Sequence, residues 1–175
     1  MGIVIGIDPG VSGAVAVLFR APQGTAVHCW DMPTVEVRGK RHVCPHGLRS
    51  LLAKEASPDY LVDAIVLEHV QGVQGTGATS AFSFGRSFGL VEGVVAGLAL
   101  PLMLVRPQAW TKALGVSRDK GAHRKAAANL WPRQASLFAR VKDDGRADAA
   151  LLCHWWVRHG QGIGDHVDAG TLAAE

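Results

Sequence analysis

Three short apolar runs crowd the start of the chain: 3–8 (IVIGID), 13–20 (GAVAVLFR) and 26–30 (AVHCW). PGVSG joins the first two and PQG precedes the third, so neither connection has room for a helix. Strands linked that tightly lie antiparallel, which commits the chain to a meander at its outset.

The pattern then changes. Residues 46–56 (HGLRSLLAKEA) carry Leu48, Leu51 and Leu52 at helical spacing and stop before Pro58. Residues 63–68 (DAIVLE) read as a strand buried on both faces, and 101–105 (PLMLV) as a fifth strand. A long helix is expected over about 80–98, a short one at WTKAL, another from Arg118 to Trp131 ended by Pro132, and a last one over about 144–158. The order βββαβαβα predicts an α/β fold, a mixed five-stranded sheet with three antiparallel and two parallel strands and helices on both faces. Residues 1–159 are read as one domain and 160–175 as a loose tail.

The 175 residues suffice for one domain with a full core. No apolar run reaches the roughly 18 residues that would span a bilayer, and MGIVIGIDPG has no cleavable leader pattern, so a soluble, cytoplasmic protein without membrane partners is expected. Cys29, Cys44 and Cys153 are widely spaced without a CxxC, which points to isolated thiols rather than a metal site. Net charge is +3, but ten basic residues from Arg106 to Arg146 face only Asp119, Asp143 and Asp144 in the same stretch. That half of the molecule suits a polyanion.

Against this frame stand four carboxylates at element ends. Asp8 closes the first strand, before Pro9 and Gly10; Glu68 closes the buried strand. Asp144 and Asp148, four apart, share one face of the last helix. With parallel, adjacent strands, Asp8 and Glu68 reach the same carboxyl edge, where open sheets place ligands. Asp143 is read instead as a helix cap or surface charge. Carboxylates without thiols suit hard cations, Mg²⁺ with Mn²⁺ as a substitute, and two such ions can activate water and stabilise a departing 3′ oxygen. His69 points away from Glu68 if the strand continues.

GIDPGVSGAVAV, VLEHV and DDGRADAALL together resemble the three motifs of the RuvC-type Holliday-junction resolvases of the ribonuclease H-like superfamily. The resemblance covers about residues 2–158. From Glu68 through FSFGRSFGLVEGVVAG and RPQAWTKALGV to DGRADAALL it is nearest to the phage-encoded and plant-chloroplast branch. It implies that Asp8, Glu68 and Asp148 are metal ligands. The bacterial pattern puts the remaining acid three residues before the last, at Gly145 here; Asp144, one residue earlier, resembles the DGRAE pattern of the phage-like branch. It implies as well a structure-selective endonuclease that nicks four-way DNA junctions in symmetric pairs, leaving 5′-phosphate and 3′-hydroxyl ends.

By the same resemblance Lys112 and Lys120 hold the scissile strand near the metals, and the helix at 80–98 is a homodimer helix. Its glycines, Gly85, Gly89, Gly93 and Gly97, are spaced for close approach by a neighbouring element. The loop Gln71–Thr79 and the rings of Phe82, Phe84 and Phe88 are candidates to disturb base stacking, with Phe84 and Phe88 also suited to a core. Three other functions compete: a related nuclease acting on RNA:DNA hybrids, flaps or branched DNA; a junction-binding protein without catalysis; and a kinase or ATPase using DPGVSG as a phosphate loop. The kinase reading does not account for the acid pair in the last helix.

Overall fold

The computed structural model of the protein describes residues 2–69, 77–117, 119–160 and 166–167, with Lys120 and the final pair described by backbone alone. The expected meander is present: β1 (Gly2–Asp8), β2 (Ala14–Ala21) and β3 (Gly24–Asp31) pair antiparallel in sequence. Two further strands, β6 (Leu61–Glu68) and β7 (Leu102–Val105), join parallel on the other side of β1. A two-residue strand, β8 (His166–Val167), extends the sheet antiparallel to β7, giving the order β3-β2-β1-β6-β7-β8. The five-stranded core is as expected, and the sixth strand comes from the segment read as a tail.

One pair of strands escaped the sequence reading. Thr34–Val37 (β4) and Lys40–Val43 (β5) form a separate antiparallel hairpin between the meander and the first helix. Each is only four residues long, and the alternating valines of β4 face outward rather than into a core, so neither stands out as a strand in the sequence.

Period-two alternation sorts the sheet's side chains between two cores. Ile3, Ile5, Ile7, Ile65 and Leu67 face α1 (Pro45–Glu55) and α2 (Ala78–Gly97), against Leu48, Leu52, Val91 and Val95. Val4, Ala64 and Val66 face the opposite way, against α5 (Asp144–Trp155), with α3 (Pro107–Leu114) and α4 (Lys120–Leu130) completing that layer. Among the described residues no helix is long and apolar enough to cross a membrane. All three cysteines are free thiols, and burial pushes the Cys29 thiol up to about 12.

The glycines of α2 lie on the side of the helix turned away from the sheet. A Cβ built at Gly85, Gly89, Gly93 or Gly97 meets nothing within 4 Å among the described residues, although Gly93 and Gly97 line a shallow cleft with Pro45, His46 and Arg49 of α1. The helix instead buries Ser87, Val91 and Val95, each set two residues from a glycine and hence on the far side.

Candidate active site

Close contact between α5 and the β1–β2 turn builds the site. A Cβ on Gly6 would lie 2.0 Å from the Ala149 carbonyl oxygen, so only glycine lets the helix rest on β1 here. At the helix start, a Cβ on Gly145 would come within 2.8 Å of both Gly13 Cα and the Ser12 carbonyl oxygen. These contacts press the first two turns of α5 against the strand that ends in Asp8.

The pleat supplies the other half of the convergence. Ile7 pairs with Leu67 in the parallel β1–β6 ladder, so Asp8 and Glu68 leave the sheet at the same edge. Both continue the even-numbered rows whose inner members, Val4, Ala64 and Val66, pack toward α5. Asp144 and Asp148 sit one turn apart on that helix.

The four acids divide between two clefts. Asp8 and Asp144 line one of about 460 Å³, together with Gly10, Ser12, Gly145 and, from α2, Phe84. Glu68 and Asp148 line one of about 300 Å³, with Trp110, Thr111 and His123. Among the described residues no three His, Cys, Asp or Glu side chains stand together as a ready-made ligand group for a single ion. The donor set still fits a hard cation, because Mg²⁺ is commonly held by one or two carboxylates and completed by water and substrate phosphate oxygens.

Each carboxylate is oriented by a neighbour. Trp110 donates its indole N–H to Glu68 Oε1 at 2.9 Å. His123 Nδ1 lies 2.6 Å from Asp148 Oδ1 in a pair whose side chains are 5% and 1% exposed. Its other nitrogen, Nε2, is 2.7 Å from the Ser117 carbonyl, which only accepts, so Nε2 carries a proton. The Trp110 and His123 rings lie 5.1 Å apart and link the two acids through one wall. Arg124 forms an ion pair with Asp144, and the Gly10 amide approaches Asp8 Oδ1 at 3.5 Å.

His123 and Trp110 were not assigned these roles from sequence. Both act across distances of tens of residues, 25 for His123 to Asp148 and 42 for Trp110 to Glu68, so no local spacing announces them.

Asp143 is neither a surface charge nor a member of either cleft. It is fully buried at the residue before α5 and accepts from the Arg140 amide and guanidinium, with Arg146 nearby. Burial alone would raise its pKa, but hydrogen bonds and charge from Arg140, aided by Arg146, outweigh that and hold the carboxyl below its ordinary value. His69 lies on the α2 side, stacked on Phe88 with ring centroids 5.4 Å apart, as strand parity predicts.

The remaining candidates are dispersed. Lys112 is exposed on α3 and lines neither cleft. Lys120 opens α4, where Asp119 caps the helix by accepting from the Ala122 amide. Its side chain lies outside the described residues, as do Arg118 and most of the loop expected at Gln71–Thr79. Phe88 packs against the core, Phe84 faces the Asp8 cleft and Phe82 is 75% exposed. Of the basic stretch, Arg124, Arg140 and Arg146 are committed to Asp144, Asp143 and Asp31 respectively. Arg106, Lys112, Lys125, Arg133 and Lys142 stay exposed.

No protein-family model and no curated protein matches the sequence. Solved structures do. The chain superposes on Thermus thermophilus RuvC in complex with a Holliday junction substrate with a TM-score of 0.59 at 13% identity, covering 91% of this chain and 97% of that one. A second Thermus thermophilus RuvC structure gives 0.56 at 14% identity, over 90% and 96%. The yeast mitochondrial Holliday junction resolvase Ydc2 gives 0.52 at 17% identity, over 89% and 77%. The chain therefore has the ribonuclease H-like fold of the RuvC-type resolvases.

Proposed function

We propose that the protein is a divalent-metal-dependent endonuclease that resolves four-way DNA junctions. The observation that carries this reading is the pairing of strand-end acids with acids of a single helix, Asp8 with Asp144 in one cleft and Glu68 with Asp148 in the other, at one edge of the sheet. The likeness in fold to structures described as Holliday junction resolvases supports the choice of substrate.

Asp8 with Asp144, and Glu68 with Asp148, would hold Mg²⁺ or Mn²⁺, two ions per site. When bound, these supply an activated water and charge neutralisation at the scissile phosphate. Trp110 and His123 hold Glu68 and Asp148 in place, since partners behind metal ligands set their orientation. Lys112 and Lys120 contact the phosphates of the scissile strand. The products carry 5′-phosphate and 3′-hydroxyl ends.

Two such sites act together in a homodimer, which suits paired nicks across a substrate with approximate two-fold symmetry. The glycine row of α2 supports this, because no described side chain or backbone of the chain packs within 4 Å of a Cβ built at any of its four positions.

Cleavage of four-way DNA, bulged duplex, flap and RNA:DNA hybrid in Mg²⁺ tests the reading. Preferred, paired cutting of the four-way substrate is expected. A clear preference for hybrid makes the protein a different ribonuclease H-like nuclease, and binding without cutting makes it a junction-binding protein.

A further inference from the structure

We infer that the β4–β5 hairpin is a phosphate-binding arm that grips a duplex arm of the nucleic acid beside the Asp8–Asp144 cleft. The inference rests on the nuclease reading for its ligand, and adds a contact surface outside the basic stretch that runs from Arg106 to Arg146.

The hairpin is a two-stranded sheet of its own, with Thr34 opposite Val43, Val35 opposite His42, Glu36 opposite Arg41 and Val37 opposite Lys40. This register leaves Arg38 and Gly39 as a two-residue tip, with φ of 52° and 72°. Positive φ at both positions matches the turn that suits a two-residue hairpin, where Asn-Gly is the comfortable sequence. Arginine occupies the first position, in a backbone conformation that a bulky side chain rarely adopts. The result is a guanidinium at the outermost point of the arm.

Pleating separates the hairpin's two faces. Thr34, Glu36, Arg41 and Val43 share one, and it is the anchored face: Val43 is buried and Arg41 donates to the Val11 carbonyl at 2.7 Å. Val35, Val37, Lys40 and His42 share the other, where both valines are over 40% exposed. Arg86 of α2 donates to His42 Nδ1 at 3.2 Å, bringing a further cation to that face. The hairpin and its Arg86 neighbour thus carry four cations, Arg38, Lys40, Arg41 and Arg86, against one carboxylate within the hairpin, Glu36. Val11, to which the arm is tied, itself lines the cleft with Asp8 and Asp144. A strand whose phosphate reaches Asp8 therefore leaves the cleft close to the hairpin. Point charges on a short exposed ribbon, with no buried polar pocket around them, fit a repeating phosphate backbone and read no base sequence.

The test compares the full-length protein with the double variant Arg38→Ala, Lys40→Ala, and with Lys54→Ala, which removes a charge from the last turn of α1. Binding of a synthetic four-way DNA junction is measured in EDTA by fluorescence anisotropy over a KCl series, with circular dichroism to verify folding and sedimentation to fix the oligomeric state. Both substituted side chains in the double variant are exposed, so folding survives. The slope of log K against log salt is expected to shrink by about 2 in the double variant, at roughly 0.9 per phosphate contact. Affinity falls alike for junctions of different arm sequence, and Lys54→Ala leaves the slope unchanged. An unchanged slope and affinity in the double variant, from a parent that binds and cuts the junction, overturns the inference and leaves the nuclease reading intact. Loss confined to particular arm sequences, or a change in oligomeric state, overturns it in favour of base reading or a subunit contact. A parent that binds junction but cuts no substrate rejects the nuclease reading, while a reduced slope in the variant would still uphold the arm. A parent that binds no nucleic acid rejects both.

Discussion

Gly145 rests directly on Gly13: a methyl group at position 145 would lie 2.8 Å from Gly13 Cα. This one contact decides where the last helix can offer an acid to the cleft. Gly145 lines the cleft with its backbone, but the space a side chain there would need is filled by the turn that follows Asp8, so the acid on this helix end comes from Asp144, one residue earlier. Replacing Gly145 by alanine should destabilise the protein by about 1–3 kcal/mol, the usual cost of overpacking, because backbone rather than a flexible side chain must give way. Urea unfolding measures this. A Gly145→Asp change in an Asp144→Asn background should not restore cleavage.

Trp110 to phenylalanine keeps an aromatic ring at this buried position and removes the N–H that donates to Glu68. Loss of a hydrogen bond to a largely buried carboxylate is expected to cost about 2 kcal/mol in unfolding free energy. Cleavage should fall as well, with junction affinity little changed, which separates positioning of Glu68 from binding.

His123 to alanine removes the imidazole that fixes Asp148. We expect activity or apparent metal affinity to drop about 10- to 100-fold, the range seen when partners behind metal ligands are lost. A Mg²⁺ titration of cleavage distinguishes the two: a role in orienting Asp148 raises the metal concentration needed for half-maximal rate, while loss of fold alone lowers the rate at every concentration.

Asp143 makes a prediction about pH. Its carboxyl titrates below the ordinary range in the folded protein, so the stability it confers is complete above about pH 4, the unfolded value, and is lost as pH falls through the lowered folded value. Asp143→Ala should therefore destabilise the protein at neutral pH, by about 1.5–3 kcal/mol for the charged hydrogen bonds from Arg140 that it loses, and should weaken the acid dependence of its melting temperature. Because Asp143 lines neither cleft, the folded variant should retain cleavage.

Much of this architecture is legible in the sequence because it follows from local rules. Tight turns force the meander, and strand parity sends Asp8 and Glu68 to the α5 side and His69 to the α2 side. Four-residue spacing puts Asp144 and Asp148 on one face. What escaped depends on contacts between distant segments. The β4–β5 hairpin is too short, at four residues a strand, for the Val35–Val37 alternation to mark it as one. The partnership of His123 with Asp148 exists only once α4 packs on α5. Asp143 reads as a helix cap or a surface charge; it does sit just before α5, but its burial needs Arg140 and Arg146, whose aim is set by the folded loop. The sequence shows the glycine row, but not that the opposite side of the same helix, through Ser87, Val91 and Val95, is the one buried within the chain.

The central claim is that the acids at this sheet edge perform metal-dependent hydrolysis on a branched DNA that the rest of the surface binds. Asp8→Asn tests it most directly, since it removes one negative charge while keeping the side chain's size. Junction cleavage in Mg²⁺ and junction affinity in EDTA are measured side by side for the parent and the variant. The account predicts that cleavage disappears while affinity is retained; cleavage that persists in Asp8→Asn contradicts it.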